Sequence, residues 1–147
     1  MPPRARTRAG GCVRAGARSE KALLAAGAKR AERWKKILLE ASQQCRRVRI
    51  PVLADVSEPG RAFASFKDGL RVMLSERADA PPLRKVLEGR RAAKAILAIG
   101  PEGGWTDAEL EAARRCGFLE ASLGRLILRA ETAVITALAS MNYALGD

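Results

Sequence analysis

The 147-residue sequence has no histidine, only three cysteines, and no apolar run near the roughly 18 residues needed to span a bilayer. Without histidine, the widely separated Cys12, Cys45 and Cys116 provide neither a zinc site nor a Cys–His catalytic pair. An odd set of dispersed thiols fits a reducing compartment, so a cytoplasmic protein with no metal and no membrane association is expected. Cys45 and Cys116 fall at helix positions and read as core or boundary thiols. Two nucleotide signatures are also missing. No Gly-rich loop ends in Lys followed by Ser or Thr, and none has GxGxxG spacing, so neither a triphosphate nor a nicotinamide cofactor is indicated.

What is present is enough apolar content, 48%, to build the core of one domain. The net charge of +11 points to a polyanionic partner, but it is unevenly spread. Residues 1–30 hold eight basic residues and one acid, while the other 117 hold nineteen against fifteen. The folded part is therefore only mildly basic, and net charge alone makes a weak case for nucleic acid.

Residues 1–28 are rich in Arg, Ala and Gly with few large apolar side chains, so a disordered tail is expected, with a short helix near Lys21–Ala26. Four readings of this tail stay open: an organellar transit peptide, a truncated start, an RNA contact, or a solvated segment. From Ala31 the periodicity of Trp34, Ile37, Leu38, Ala41 and Cys45 predicts a helix that stops before Pro51. Short strands are expected at Val48–Leu53, Leu70–Leu74, Ala95–Ile99 and Phe118–Leu123, and helices at Ala62–Lys67 and Leu83–Leu87. Thr106-Asp107-Ala108-Glu109 fits a capping box, opening a helix to about Cys116 with Gly117 at its left-handed end. Glu131–Ala144 reads as a closing helix with Val134, Ile135, Leu138, Met141 and Leu145 inward. Strands alternating with helices predict an α/β fold, a parallel sheet covered by helices.

Two loops carry the functional signal. Ile99–Thr106 (IGPEGGWT) follows an apolar run, and Gly100, Gly103 and Gly104 let a ligand approach the backbone closely. Alone, it is equally a tight strand-to-helix turn. Ser122–Ala133 (SLGRLILRAETA) places Gly124, Arg125, Arg129 and Glu131 around apolar Leu126, Ile127 and Leu128, an unusual composition for a connector. The simpler reading is that Glu131 and Thr132 cap the last helix. Two such loops separated by one helix suggest a composite pocket.

In this order and spacing, IGPEGGW and SLGRLILRAETA resemble the RsmE family of SPOUT-class methyltransferases. Upstream, Glu40-Ala41-Ser42-Gln43-Gln44-Cys45-Arg46-Arg47 with Ile50-Pro51 is similar to the end of a helix in that family. The resemblance covers residues 29–147 and implies a SPOUT-type methyltransferase domain with a C-terminal trefoil knot over about Ile96–Tyr143. Packing rules alone would not propose a knot. Family members begin with a β-rich PUA-like RNA-binding domain, whose place is taken here by residues 1–28, so an N-terminally truncated domain is expected.

The resemblance implies methyl transfer from S-adenosylmethionine, without a metal, to N3 of a uridine in 16S rRNA of the small ribosomal subunit, by a homodimer. It places Ile99, Gly100, Glu102, Gly103 and Gly104 on one wall of the cofactor site and Leu123, Gly124, Ile127 and Leu128 on the other. Arg129 and Glu131 are the catalytic candidates: Arg129 for the developing uracil anion, Glu131 to orient Arg129 or help the proton leave. Arg46, Arg47 and Arg125 are the candidate RNA contacts. Two alternatives stay open: a SPOUT ribose 2′-O-methyltransferase and a non-catalytic RNA-binding remnant.

Overall fold

The computed structural model describes residues 12–13, 20–55 and 57–145, with side chains from residue 30 onward. The chain divides into two compact units, Met1–Ala62 and Phe63–Asp147.

In the first unit, β1 (Cys12–Val13) pairs in parallel with β2 (Val52–Leu53), and helix α1 spans Glu20–Gln44. The helix begins well before Ala31, within the stretch expected to be a tail. The short helix expected near Lys21–Ala26 is continuous with it: Leu23 and Leu24 are the only large apolar residues of Glu20–Ala28, but Ala and Leu have high intrinsic helix propensity. The remaining tail readings concern residues outside those described. The inward face of α1 also differs from expectation. Ser42 is buried and donates its hydroxyl to the Leu38 carbonyl at 2.6 Å, whereas Ile37, Ala41 and Cys45 are exposed. The chain leaves α1 through Arg46 at φ 54°, with Arg47 N–H closing back on the Ser42 carbonyl at 2.9 Å. That left-handed exit ends the helix before Pro51. The strand expected over Val48–Leu53 shortens to its last two residues.

The second unit is built on β3 (Leu70–Leu74), β4 (Ala95–Ala98) and β5 (Leu119–Ala121), all parallel, in the spatial order β4-β3-β5. Central β3 is buried on both faces. Its period of two sends Val72 and Leu74 into a cluster with Leu83 and Leu87 of α3 (Leu83–Leu87) and Ala137 and Met141 of α5 (Ala130–Leu145). Met73 points the other way, into Phe63, Ile96, Phe118 and the Leu110–Ala113 face of α4 (Asp107–Arg115). Phe63 comes from α2 (Pro59–Ser65). The expected parallel sheet covered by helices is thus observed.

Two helix readings need correction. Arg129 C=O accepts from Ala133 N–H at 2.9 Å, so α5 starts at Ala130 and Thr132 lies inside its first turn instead of capping it. Ile135 and Leu138 face outward, 69% and 49% exposed, while Ala137 and Met141 turn inward. Apolar residues on several faces of α5 left the buried stripe undetermined, and the face that is buried is the one that packs with Leu83 and Leu87 of α3.

Candidate active site

In a parallel sheet all strands end on the same side. Here the chain leaves β3, crosses to β4 on one edge, then returns to β5 on the other. The loops leaving β4 and β5 therefore diverge across the end of β3 and open a crevice at a topological switch point. A cleft of about 540 Å³ lies there, within the size range of small-molecule sites.

Three loop segments supply most of its lining, with Leu110 of α4 and Ala130 and Ala133 of α5 completing it. From the loop after β4 come Ile99, Gly100, Pro101, Glu102, Gly104 and Trp105. From the loop after β5 come Leu123, Gly124, Arg125, Leu126, Ile127, Leu128 and Arg129. The third segment, Leu74–Arg77 after β3, was not anticipated. Its signal in the sequence is the polar Ser75-Glu76-Arg77 directly after an apolar strand, which becomes meaningful only once β3 is known to be central.

The two sequence-predicted loops are therefore brought together, with two exceptions. Gly103 does not line the cleft, and the left-handed backbone falls at Gly104, φ 67°. Glu131 sits exposed in the first turn of α5, outside the lining. Arg129 is exposed, and among the described residues neither it nor Arg125 forms an ion pair. Arg46 and Arg47 are exposed at the end of α1, in the first unit. Among the described residues no group of His, Cys, Asp and Glu is arranged to hold a metal ion.

The first wall is heavily braced. Gly104 N–H donates to the Pro101 carbonyl at 2.8 Å, closing the turn. Thr106 caps α4 by accepting from Glu109 N–H, while the Glu109 carboxylate accepts from Thr106 N–H at 2.8 Å, the reciprocal box expected from the sequence. Arg77 links the β3 loop to this helix start through Asp107 at 3.2 Å and also engages Asp79 at 3.3 Å. The hydrogen bond from Arg77 holds the Asp79 carboxyl below its ordinary pKa. Both pairs are solvated and contribute little to stability.

On the second wall Gly124 has φ 132° with open space where a side chain would start. Leu126 and Ile127 are 81% and 78% exposed. Glycine backbone, an apolar lining and a few charged groups suit a ligand held by directional contacts inside a largely apolar slot.

A family model described as RNA methyltransferase domain matches residues 14–142. The ribosomal RNA small subunit methyltransferase E of Synechocystis sp. is 37% identical over 127 residues, covering 84% of this chain and 42% of that protein. The Bacillus subtilis protein of the same name is 30% identical over 121 residues, covering 78% and 47%. The chain thus spans about half the length of the curated relatives it matches.

Among solved structures, the Neisseria gonorrhoeae ribosomal RNA small subunit methyltransferase E bound to S-adenosyl methionine superposes with TM-score 0.78 at 31% identity, covering 92% of this chain and 55% of that one. A Legionella pneumophila methyltransferase with the cofactor bound gives TM-score 0.76 at 30% identity, covering 93% and 57%. The chain belongs to the RNA methyltransferase domain family, in the group of the ribosomal RNA small subunit methyltransferases E, RsmE.

Proposed function

We propose that the chain transfers a methyl group from S-adenosylmethionine to N3 of a uridine in the 16S rRNA of the small ribosomal subunit. The observation that carries this reading is the cleft at the switch point, walled by two glycine-bearing loops, with Arg129, which has no ion pair among the described residues, in its lining. The names of the relatives and the ligand of two structural neighbours support the substrate and the methyl donor. The methyltransferase domain is read as residues 29–147, with the knotted path that the resemblance implies for Ile96–Tyr143. A cytoplasmic location is part of the same reading. Among the described residues no helix is long and apolar enough to cross a membrane.

The residues fit the donor. Gly104 and Gly124 leave open space where a side chain would begin, so a ligand can approach their backbone, and Ile99, Leu123 and Leu128 supply apolar contact. When bound, the sulfonium supplies an already activated methyl group. The chain's task is then alignment of the acceptor. Uracil N3 must lose its proton to become nucleophilic, and the Arg129 guanidinium is assigned to the negative charge that develops on the base. Glu131, two residues on, is assigned the lesser part of orienting Arg129 or easing proton departure. Arg125 at the cleft, with Arg46 and Arg47 on the first unit, are assigned to RNA phosphate.

A homodimer completes the reading. Ile135, Leu138 and Tyr143 are exposed along α5, and Leu126 and Ile127 are exposed on the second loop. Covering such apolar surface with a second copy is favourable. Light scattering should give twice the chain mass.

The decisive assay combines calorimetry for S-adenosylmethionine with methylation of small-subunit rRNA, digested to nucleosides. Saturable binding and base-methylated uridine are expected. Methyl on the ribose 2′-oxygen would instead identify a 2′-O-methyltransferase. Salt-sensitive RNA binding with no cofactor binding would leave an RNA-binding remnant.

A further inference from the structure

The cleft's first wall is held to the end of β3 by one side chain. The last registered pair of the β3–β4 ladder is Met73↔Ala98, so the carbonyl of Leu74 lies one residue beyond it. Ser75 N–H, on the opposite side of the strand, is taken by the Ala121 carbonyl at 2.9 Å. The Leu74 carbonyl accepts from the indole Nε1–H of Trp105 at 2.8 Å, across 31 residues of sequence. The indole replaces the ladder partner that β4 no longer supplies.

The same ring is fixed from two other directions. Its edge meets Phe63, with centroids 5.8 Å apart and planes at 62°. On the loop side it lies over Gly100, where an added Cβ would sit 3.1 Å from Nε1 and 3.3 Å from Cε2. Gly100 is not in the left-handed region, so what an added Cβ would meet there is the indole itself, which would have to give by a few tenths of an ångström.

We propose that Trp105 is a positioning residue for the cofactor cleft, a clasp that sets the distance between the Gly100–Gly104 loop and the Leu74–Arg77 loop before any ligand arrives. The proposal rests on reading the cleft as the S-adenosylmethionine site. Trp105 acts through the loop backbones it holds apart.

The test uses the full chain and S-adenosylhomocysteine, the demethylated product, as the titrated probe. Trp105→Phe keeps an aromatic ring and removes the donor to Leu74, together with the pyrrole half of the indole. Its affinity should fall about tenfold, the scale of losing one buried hydrogen bond. Gly100→Ala should cost about tenfold in the parent but no more than about twofold beside Trp105→Leu, because the added methyl then meets no indole.

General destabilisation would instead add in the double variant. In a Trp34→Phe background, Trp105 is the sole indole, and its emission should shift on titration with the calorimetric midpoint. Its Nε1 proton should also exchange slowly with solvent. Parent-like affinity in Trp105→Phe, additive losses with Gly100→Ala, or a freely exchanging Nε1 proton would each overturn the clasp while leaving the cofactor reading intact. Failure of the parent chain to bind the probe at all would overturn the cofactor reading, and the clasp's purpose with it.

Discussion

The two loops that wall the cleft are built in opposite ways. Between Ile99 and Glu109 a closed turn and a reciprocal capping box fix the backbone from within, and an indole hydrogen bond ties it to the Leu74 carbonyl. Residues 123–128, by contrast, make no hydrogen bond among the described residues, and two of their four large apolar side chains, Leu126 and Ile127, point into solvent. The first wall meets its ordering cost through bonds formed on folding. The second leaves backbone donors and acceptors unused, and an apolar Leu126-Ile127 pair uncovered, until something outside the loop engages them. A cleft with one preformed wall and one wall completed by its ligands can commit the open side to the acceptor. Arg129, free of ion pairs among the described residues, stands on that side.

Removing Arg129 should give the largest effect. Arg129→Ala should reduce methyl transfer by roughly a hundredfold or more, comparable to losing one oxyanion-type donor, while cofactor affinity stays within a few-fold. Folding should be nearly unaffected, because the side chain is exposed and has no ion pair among the described residues. Arg129→Lys should recover only part of the rate, since a point charge lacks the guanidinium fork. Equal losses of turnover and cofactor affinity would place Arg129 in the cofactor wall, and the division of labour between the two loops would fail.

Gly124 tests whether the open wall is ordered by its ligand. Its φ of 132° is strained for any side chain, yet nothing stands within 4 Å of an added Cβ. In a braced loop, Gly124→Val would place about 1–3 kcal/mol of strain on the fold. In a loop with no internal bonds the backbone shifts instead. The expected result is an unchanged melting temperature with affinity for S-adenosylhomocysteine lowered about tenfold, the strain appearing only on binding. A drop in melting temperature with unaltered affinity would show the loop to be held by the fold after all.

The difference between the walls also explains what could be read from the sequence. The capping box at Thr106 and Glu109, the left-handed Gly117 at φ 77° and the apolar run of β4 are local signals, decided within a few residues, and each appears where expected. The third lining segment, Leu74–Arg77, depends on β3 lying between β4 and β5, a matter of strand order that no window of sequence contains. The outward turn of Ile135 and Leu138 has a similar cause. An α5 apolar on several faces is oriented by what it packs against, here Leu83 and Leu87 of α3, and not by its own periodicity. Of the adjacent glycines, the sequence could not say which takes the left-handed conformation. The Gly104-to-Pro101 hydrogen bond goes with Gly104 as the left-handed residue.

The smallest expected effect belongs to the braced wall. Thr106→Ala removes the hydroxyl that accepts from Glu109 N–H at 3.3 Å, but leaves the Glu109 carboxylate on Thr106 N–H at 2.8 Å. Half of the box survives, so the cost should be about 1 kcal/mol, seen as a melting temperature lower by about 4–8 °C for a unit of this size. Cofactor affinity should change by no more than about twofold, because the Trp105 hydrogen bond to Leu74 and the packing on Phe63 still locate the loop. Calorimetry beside thermal melts separates the two quantities. If affinity falls in step with stability, the bracing is not redundant and the first wall is a single cooperative unit. If only the melting temperature moves, the helix cap stabilises the fold and the indole sets the cleft.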